Sequence, residues 1–178
     1  VPGLEISVVR RTLGYASTAH CVHTRGRTTQ VKIFGITLTN GKIFTCQCPS
    51  TFDSDAWVKI IRRQFGPFMR RNFQGKACTV LFDREKVMHT PEARKALKAF
   101  RIRPLLGWPA ESPDLNPQEN VWSWVDREMK RQPFTSLQKY VDGLHRTTKA
   151  YPSGQSLVPS LAKRVQECIA AKGGSTFH

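Results

Sequence analysis

Trp108-Pro109-Ala110-Glu111-Ser112-Pro113-Asp114-Leu115-Asn116-Pro117-Gln118-Glu119-Asn120-Val121-Trp122 holds the start of a helix within a loop-rich stretch. Asn116 has the short polar side chain of a helix cap, Pro117 suits the first helical position, and Glu119 falls at the third, the N-x-x-E pattern of a capping box. The helix is expected to run from Pro117 to about 131. Asp114 is expected to order its turn by accepting backbone N–H groups. Trp108, Trp122 and Trp124 read as core or interface aromatics rather than as platforms for bases.

Upstream of this stretch, residues 102–106 (IRPLL) make a short strand, and Pro104 argues for an edge position. Pro91 opens a helix to about 100, with Ala93, Ala96, Leu97 and Phe100 on one face. Residues 77–82 (ACTVLF) are a short apolar run, the pattern of a strand buried on both faces, and Asp83 sits at its end. Residues 53–71 follow helical spacing through Trp57, Ile60, Ile61 and Phe65, with Asp53 or Ser54 as cap. Gly66-Pro67 predicts a kink or break there. Asn40-Gly41 between two apolar runs predicts a hairpin of 31–38 with 42–48. Residues 4–11 are β-branched enough for a strand, and 12–30 read as a long loop or an irregular hairpin. Two more helices are expected downstream, at about 135–149 and 157–172. The order strand, strand, strand, helix, strand, helix, strand, helix is that of the ribonuclease H-like fold. The expected architecture is α/β, a mixed sheet of about five strands flanked by helices. Residues 1–150 are expected to form the domain, and 151–178 a C-terminal helix and mobile tail.

The chain has 178 residues and a formal net charge of +15, with 39% hydrophobic residues. That composition belongs to a globular domain, and the charge surplus favours an anionic partner, of which nucleic acid is the commonest. The five cysteines are odd in number and irregularly spaced, which argues against a disulfide framework. Strand alternation puts Cys46 and Cys48 on one face as packing residues rather than zinc ligands. No apolar run approaches the ~20 residues of a membrane span, so no membrane partner is expected. The chain opens on Val1, as a processed or truncated polypeptide would, with no visible signal or transit segment.

The stretch 108–122 closely resembles the signature W-P-x-x-S-P-D-L-N-P-I-E-N-x-W of mariner-type DDE transposases. The resemblance covers roughly residues 9–131. It implies a ribonuclease H-like catalytic domain in which three carboxylates hold two divalent cations, Mg²⁺ or Mn²⁺, against phosphate. Asp83 then matches the second acid and Glu119 the third. Between them lie 35 residues, one more than the usual interval of this branch. His89 stands six positions after Asp83 where the family has five, so one inserted residue explains both departures. Arg84 replaces the family's asparagine, where it would compete with a metal or hold a phosphate.

The first acid is not in the expected context. Before Asp83 the carboxylates are Glu5, Asp53 and Asp55. Asp53 and Asp55 lie beyond the hairpin, and Glu5 lacks the D-E-S/T surroundings. Either Val8-Val9-Arg10-Arg11 occupies the first strand and arginine has displaced the acid, or Val9-Arg10-Arg11-x-x-Gly14 corresponds to the stretch downstream of that strand and the acid lies before Val1.

Phosphate contacts are expected from Arg25, Arg27, Arg62, Arg63, Arg70, Arg71, Arg84, Lys130 and Arg131, since few acids balance them. Two functions remain open. One is a transposase-derived, catalytically defective basic domain that binds nucleic acid or scaffolds a ribonucleoprotein, such as an organellar ribosome. There the partners would include RNA and other proteins of a large assembly, and the compartment would be a mitochondrion or another organelle. The other is the catalytic domain of an active transposase that cuts and joins DNA in the nucleus.

Overall fold

A computed structural model describes residues 4–15 (as backbone), 29–82, 85–105, 115–152 and 157–172. Five strands form one sheet: β1 (Leu4–Tyr15), β2 (Thr29–Thr37), β3 (Ile43–Cys48), β4 (Cys78–Phe82) and β5 (Ile102–Pro104). Their order across the sheet is β3-β2-β1-β4-β5. The β1–β2 and β2–β3 pairs are antiparallel, while β4 runs parallel to both β1 and β5. This is the ribonuclease H-like arrangement expected from the element order. The Asn40-Gly41 turn closes the β2–β3 hairpin, with Gly41 at φ 78° and its N–H donating to the Leu38 carbonyl at 3.0 Å. A left-handed position of this kind favours glycine. β5 lies at the sheet edge, where Pro104 leaves no central ladder unpaired. Residues 12–30 hold more strand than expected, because β1 extends to Tyr15 and β2 begins at Thr29. Residues 16–28 lie outside the described residues.

One face of the sheet is covered by α1 (Ser54–Ile60), a π-helical turn (Ile61–Phe65), α2 (Gly66–Asn72) and α3 (Pro91–Ala99). Phe34, Trp57, Phe65 and Phe82 interlock there, with ring centroids 4.7 Å apart for Phe34–Trp57 and 6.2 Å for Phe65–Phe82. Cys46, Cys48 and Cys78 are buried in the same cluster, as packing residues. The Cys46 thiol is pushed up by its hydrogen bond with Cys48 and by burial, so it stays neutral. The other face carries α4 (Pro117–Lys130) and α5 (Leu137–Lys149), packed through Trp122, Val125, Val141 and Leu144. Finally, α6 (Leu157–Ala170) sets Leu161 against Leu81 of β4, so β4 is buried on both sides.

The expected break at Gly66-Pro67 does not occur. The helix continues without a break, because the turn before Pro67 is π-helical and the Gly66 N–H reaches back five residues to the Ile61 carbonyl. In an α-helix Pro67 would leave the Arg63 carbonyl without its donor and press a ring against it. The wider turn absorbs that mismatch. Gly66 is also needed for space, since a Cβ there would lie 2.5 Å from the Phe100 ring.

Candidate functional site

The C-terminal edge of β4 is where the sequence places Asp83. Asp83 and Arg84 lie outside the described residues, so the expected closeness of Asp83 and Glu119 is not observed directly. Their surroundings are. Phe82 is buried, and the chain resumes at Glu85 and enters a 3₁₀ turn, Lys86–His89, pinned by fully buried Met88. Thr90 then caps α3 by accepting from the Ala93 N–H at 3.3 Å, with Pro91 at the first helical position. The Thr90 hydroxyl meets that of Ser54 at 2.7 Å. The N-terminal ends of α1 and α3 therefore meet beside this edge. Asp53 caps α1, accepting from the Ala56 N–H at 2.8 Å.

Glu119 approaches from the other face. Asn116 caps α4 as expected, its Oδ1 accepting from the Gln118 N–H at 3.1 Å. Glu119 is half-buried in the first turn, where a carboxylate complements the helix dipole. Two contacts fix where α4 lies. Trp122 packs on Gly35, and a Cβ at Gly35 would stand 2.6 Å from the Trp122 ring. Buried Gln118 accepts from the Thr37 hydroxyl at 2.7 Å. Sequence reasoning missed both, although a glycine inside a strand pattern is a signal of close approach. Trp122 is fully buried, and Trp124, partly buried, packs against the same cluster and edge-on to Tyr151 at 5.4 Å. Trp108 lies outside the described residues.

Strand register ties the two sides together. Val8 of β1 is level with Phe82 of β4, the residue before Asp83. Val9 is paired with Gly35, the position under Trp122. The backbone at Val8-Val9 therefore runs between the end of β4 and the strand position that receives α4. Glu5, the carboxylate of β1, is paired further back, with Val80. Val9-Arg10-Arg11 lies within β1. Among the described residues no group of three or more His, Cys, Asp or Glu is placed to hold a metal ion.

Of the residues expected to meet phosphate, Arg25, Arg27 and Arg84 lie outside the described residues. Arg62, Arg63, Arg70, Arg71 and Lys130 are exposed. Arg131 is exposed too, but its Nη1 is bound to the Glu128 carboxylate at 3.0 Å, and Arg127 reaches the same group at 3.3 Å. Arg63 also lines an open cleft of about 480 Å³ with Asp53, Asp55 and Lys59, where acids offset its charge.

On α5, the His145 Nδ1 lies 2.6 Å from the Thr45 hydroxyl of β3. Burial lowers the His145 pKa and the Lys149 charge lowers it further, against a smaller opposing pull from Asp142. No helix among the described residues is long and apolar enough to cross a membrane.

The DDE superfamily endonuclease family model matches residues 8–140. The Tcb2 transposase of Caenorhabditis briggsae is 30% identical over 71% of this chain and 46% of that protein. The Tc3 transposase of Caenorhabditis elegans is 28% identical over 70% of this chain and 38% of its own length. The chain thus spans less than half of the curated relatives it matches. Among solved structures, the Mos1 transposase paired-end complex with left transposon end superposes with a TM-score of 0.76 at 13% identity, over 97% of this chain and 56% of that one. The Mos1 catalytic domain with raltegravir and Mn gives 0.71 at 14% identity, over 97% and 85%. At such identities these likenesses speak to the fold.

Proposed function

Because the chain belongs to the DDE superfamily endonucleases, of the mariner-type transposase kind, we propose that it is a DNA-binding transposase domain that does not cut DNA by itself. Asp83 and Glu119 are its two inherited metal-ligand positions. The observation that carries this reading is the register of β1. At the level of Phe82, the last described residue of β4, the strand offers Val8, with Val9 and Arg10 next, while its one carboxylate, Glu5, pairs with Val80 on the far side of a register shift.

Such residues do not fit a pair of dications. Two-metal chemistry needs a cluster of hard, negatively charged oxygens. Two carboxylates with Arg10 and Arg84 in the flanking sequence supply less negative charge than two metal ions and a phosphate demand. The chemistry left to this chain is phosphate binding by its exposed cations. DNA is the favoured polymer over RNA, because the Mos1 complexes with this fold carry transposon ends.

A second reading has one observation behind it. Val9-Arg10-Arg11-x-x-Gly14 resembles the stretch downstream of the first strand, and the relatives are more than twice the length matched here. An acid supplied from outside these 178 residues would then complete the site in an active transposase.

Mn²⁺ titration of the purified chain tests the proposal. The unaltered chain should bind Mn²⁺ weakly, with no change on Glu119→Gln. Val9→Asp should tighten binding, and Glu119→Gln should then reverse the gain. Tight binding by the unaltered chain that Glu119→Gln removes would overturn the reading.

A further inference from the structure

The edge of the sheet opposite Asp83 carries a second concentration of charge. β4 and β5 begin there, and α2 and α3 end there. Arg70 and Arg71 lie in the last turn of α2, Lys98 in the last turn of α3, and Lys76 and Arg101 just before β4 and β5. Hydrogen bonds join these turns into one rim. The Gly75 N–H donates to the Arg70 carbonyl at 2.9 Å, and the Arg101 Nη1 donates to the Gly75 carbonyl at 3.3 Å. The Arg101 N–H in turn donates to the Lys98 carbonyl at 3.0 Å, and the Cys78 N–H to the Arg101 carbonyl at 3.1 Å. Gln74, Gly75 and Arg101 all take left-handed backbone, at φ 51°, 72° and 58°. For the two non-glycines that conformation is uncommon, and it is held by these bonds.

All five cations are exposed. None pairs with an acid among the described residues. Residues 66–82 and 93–105 contain no Asp or Glu at all. The described acids of the neighbouring elements, Asp53, Asp55, Glu85 and Glu92, lie at the start of α1, after β4 and at the start of α3, the opposite ends of those elements. A cation in a last helical turn is ordinary, because it complements the helix dipole. Five around one knot of turns repel one another, and two helix ends do not account for that number.

We propose that this rim is a second DNA contact, one that grips the phosphate backbone of a duplex about 15 Å from the Asp83 edge, the length of β4. The proposal rests on the DNA-binding reading above and adds a place to it. An acidic protein is the weaker fit, because protein interfaces have an apolar core. The large exposed hydrophobics among the described residues are Leu137 and Ile169, on α5 and α6. A rim whose charged groups are all guanidinium and ammonium suits phosphates, which need charge and no apolar contact. Contacts of this kind position a duplex without reading its sequence.

The test is affinity of the full 178-residue chain for a random-sequence DNA duplex, measured across about 50 to 200 mM salt. A variant with Arg70, Arg71, Lys76 and Lys98 changed to Ala is set against a charge-matched control with Arg127, Lys139, Arg146 and Lys163 changed to Ala. Arg101 is left in place because it ties the turns. Every phosphate that the protein no longer neutralises lowers the salt slope by about 0.9. The rim variant should lose about 2 to 4 of slope and ~10-fold or more in affinity at low salt, while the control stays near the unaltered chain. Lys98→Glu alone, at an exposed helical position, should shift the slope in the same direction and guards against misfolding of the fourfold variant. Equal losses in rim and control variants would overturn the rim as a discrete site. A rim variant that keeps the full slope would do so too, and would leave the DNA-binding reading standing. A chain that binds no duplex at all would overturn that reading along with the rim. Tighter binding to duplex RNA, or displacement of DNA by polyglutamate at the rim variant's expense alone, would overturn the choice of DNA.

Discussion

The two faces of the sheet are built from different materials. Under α1, the π turn and α3 the packing is almost wholly aromatic and aliphatic, with Trp57 ringed by Phe34, Phe52, Phe65 and Phe82. Under α4 and α5, polar pairs cross the same kind of interface: Thr37 with Gln118, and Thr45 with His145. Buried Gln118 Nε2 and Trp122 Nε1 are left without hydrogen-bond partners there. The first face is organised to hold the sheet together. The second gives up some of that stability for a fixed position of α4, and with it of Glu119, since a hydrogen bond has direction and an apolar contact does not.

The largest effect should come from emptying the first face. Trp57→Ala removes a fully buried ring from the centre of the aromatic cluster and should cost about 3–5 kcal/mol in urea unfolding. Trp57→Phe should cost much less, because the indole N–H has no partner to lose. If both variants unfold at the midpoint of the unaltered chain, the cluster is not what holds this face.

Next is the point where the second face meets the sheet. Gly35→Ala puts a methyl group 2.6 Å from the Trp122 ring and should cost about 1–3 kcal/mol as α4 is pushed outward. Adding Trp122→Phe should recover part of that loss. No recovery in the double variant would mean that the two residues do not pack on each other.

Thr37 and Gln118 test what the polar pairs contribute. Thr37→Val strands the Gln118 carbonyl oxygen in a buried site and should cost about 1–3 kcal/mol. Adding Gln118→Leu removes the stranded group together with the unpartnered amide, so the double variant should lie close to the unaltered chain. An additive loss would show that the pair contributes stability outright, and the second face would then differ from the first in chemistry alone.

The smallest effect concerns pH. The His145 pKa is lowered in the folded chain, so the unfolded chain binds its proton more tightly. Stability should therefore be intact above about pH 6.5 and fall as pH drops through that value toward the lower folded one. His145→Gln should flatten this part of the profile, read as melting temperature against pH. A His145→Gln profile that keeps the same step would assign it to another group.

The sequence showed the aromatic face more clearly than the polar one. Trp57, Ile60, Ile61 and Phe65, and likewise Ala93, Ala96 and Leu97, are buried as their helical spacing required, because burial of one apolar stripe is a local property of the chain. The Asn116-Pro117 helix start was legible for the same reason. Gly66-Pro67 marked a departure from the α-helix but not a break, because the rule for proline assumes an α-helical turn and this turn is π-helical. The Thr37–Gln118 and Thr45–His145 pairs join residues 81 and 100 positions apart and left no local pattern to read. At the candidate site, Asp83 and Glu119 were named from the family resemblance alone. The register that sets Val8 beside Phe82 became visible only with the sheet assembled.

The most direct measurement is cleavage and strand transfer on DNA by the purified 178-residue chain in Mg²⁺ or Mn²⁺. The predicted result is DNA binding that weakens steeply with salt, with no nicked or joined product in either metal. Metal-dependent product that Glu119→Gln abolishes would contradict the account, because it would mean that the carboxylates of this chain suffice for the reaction.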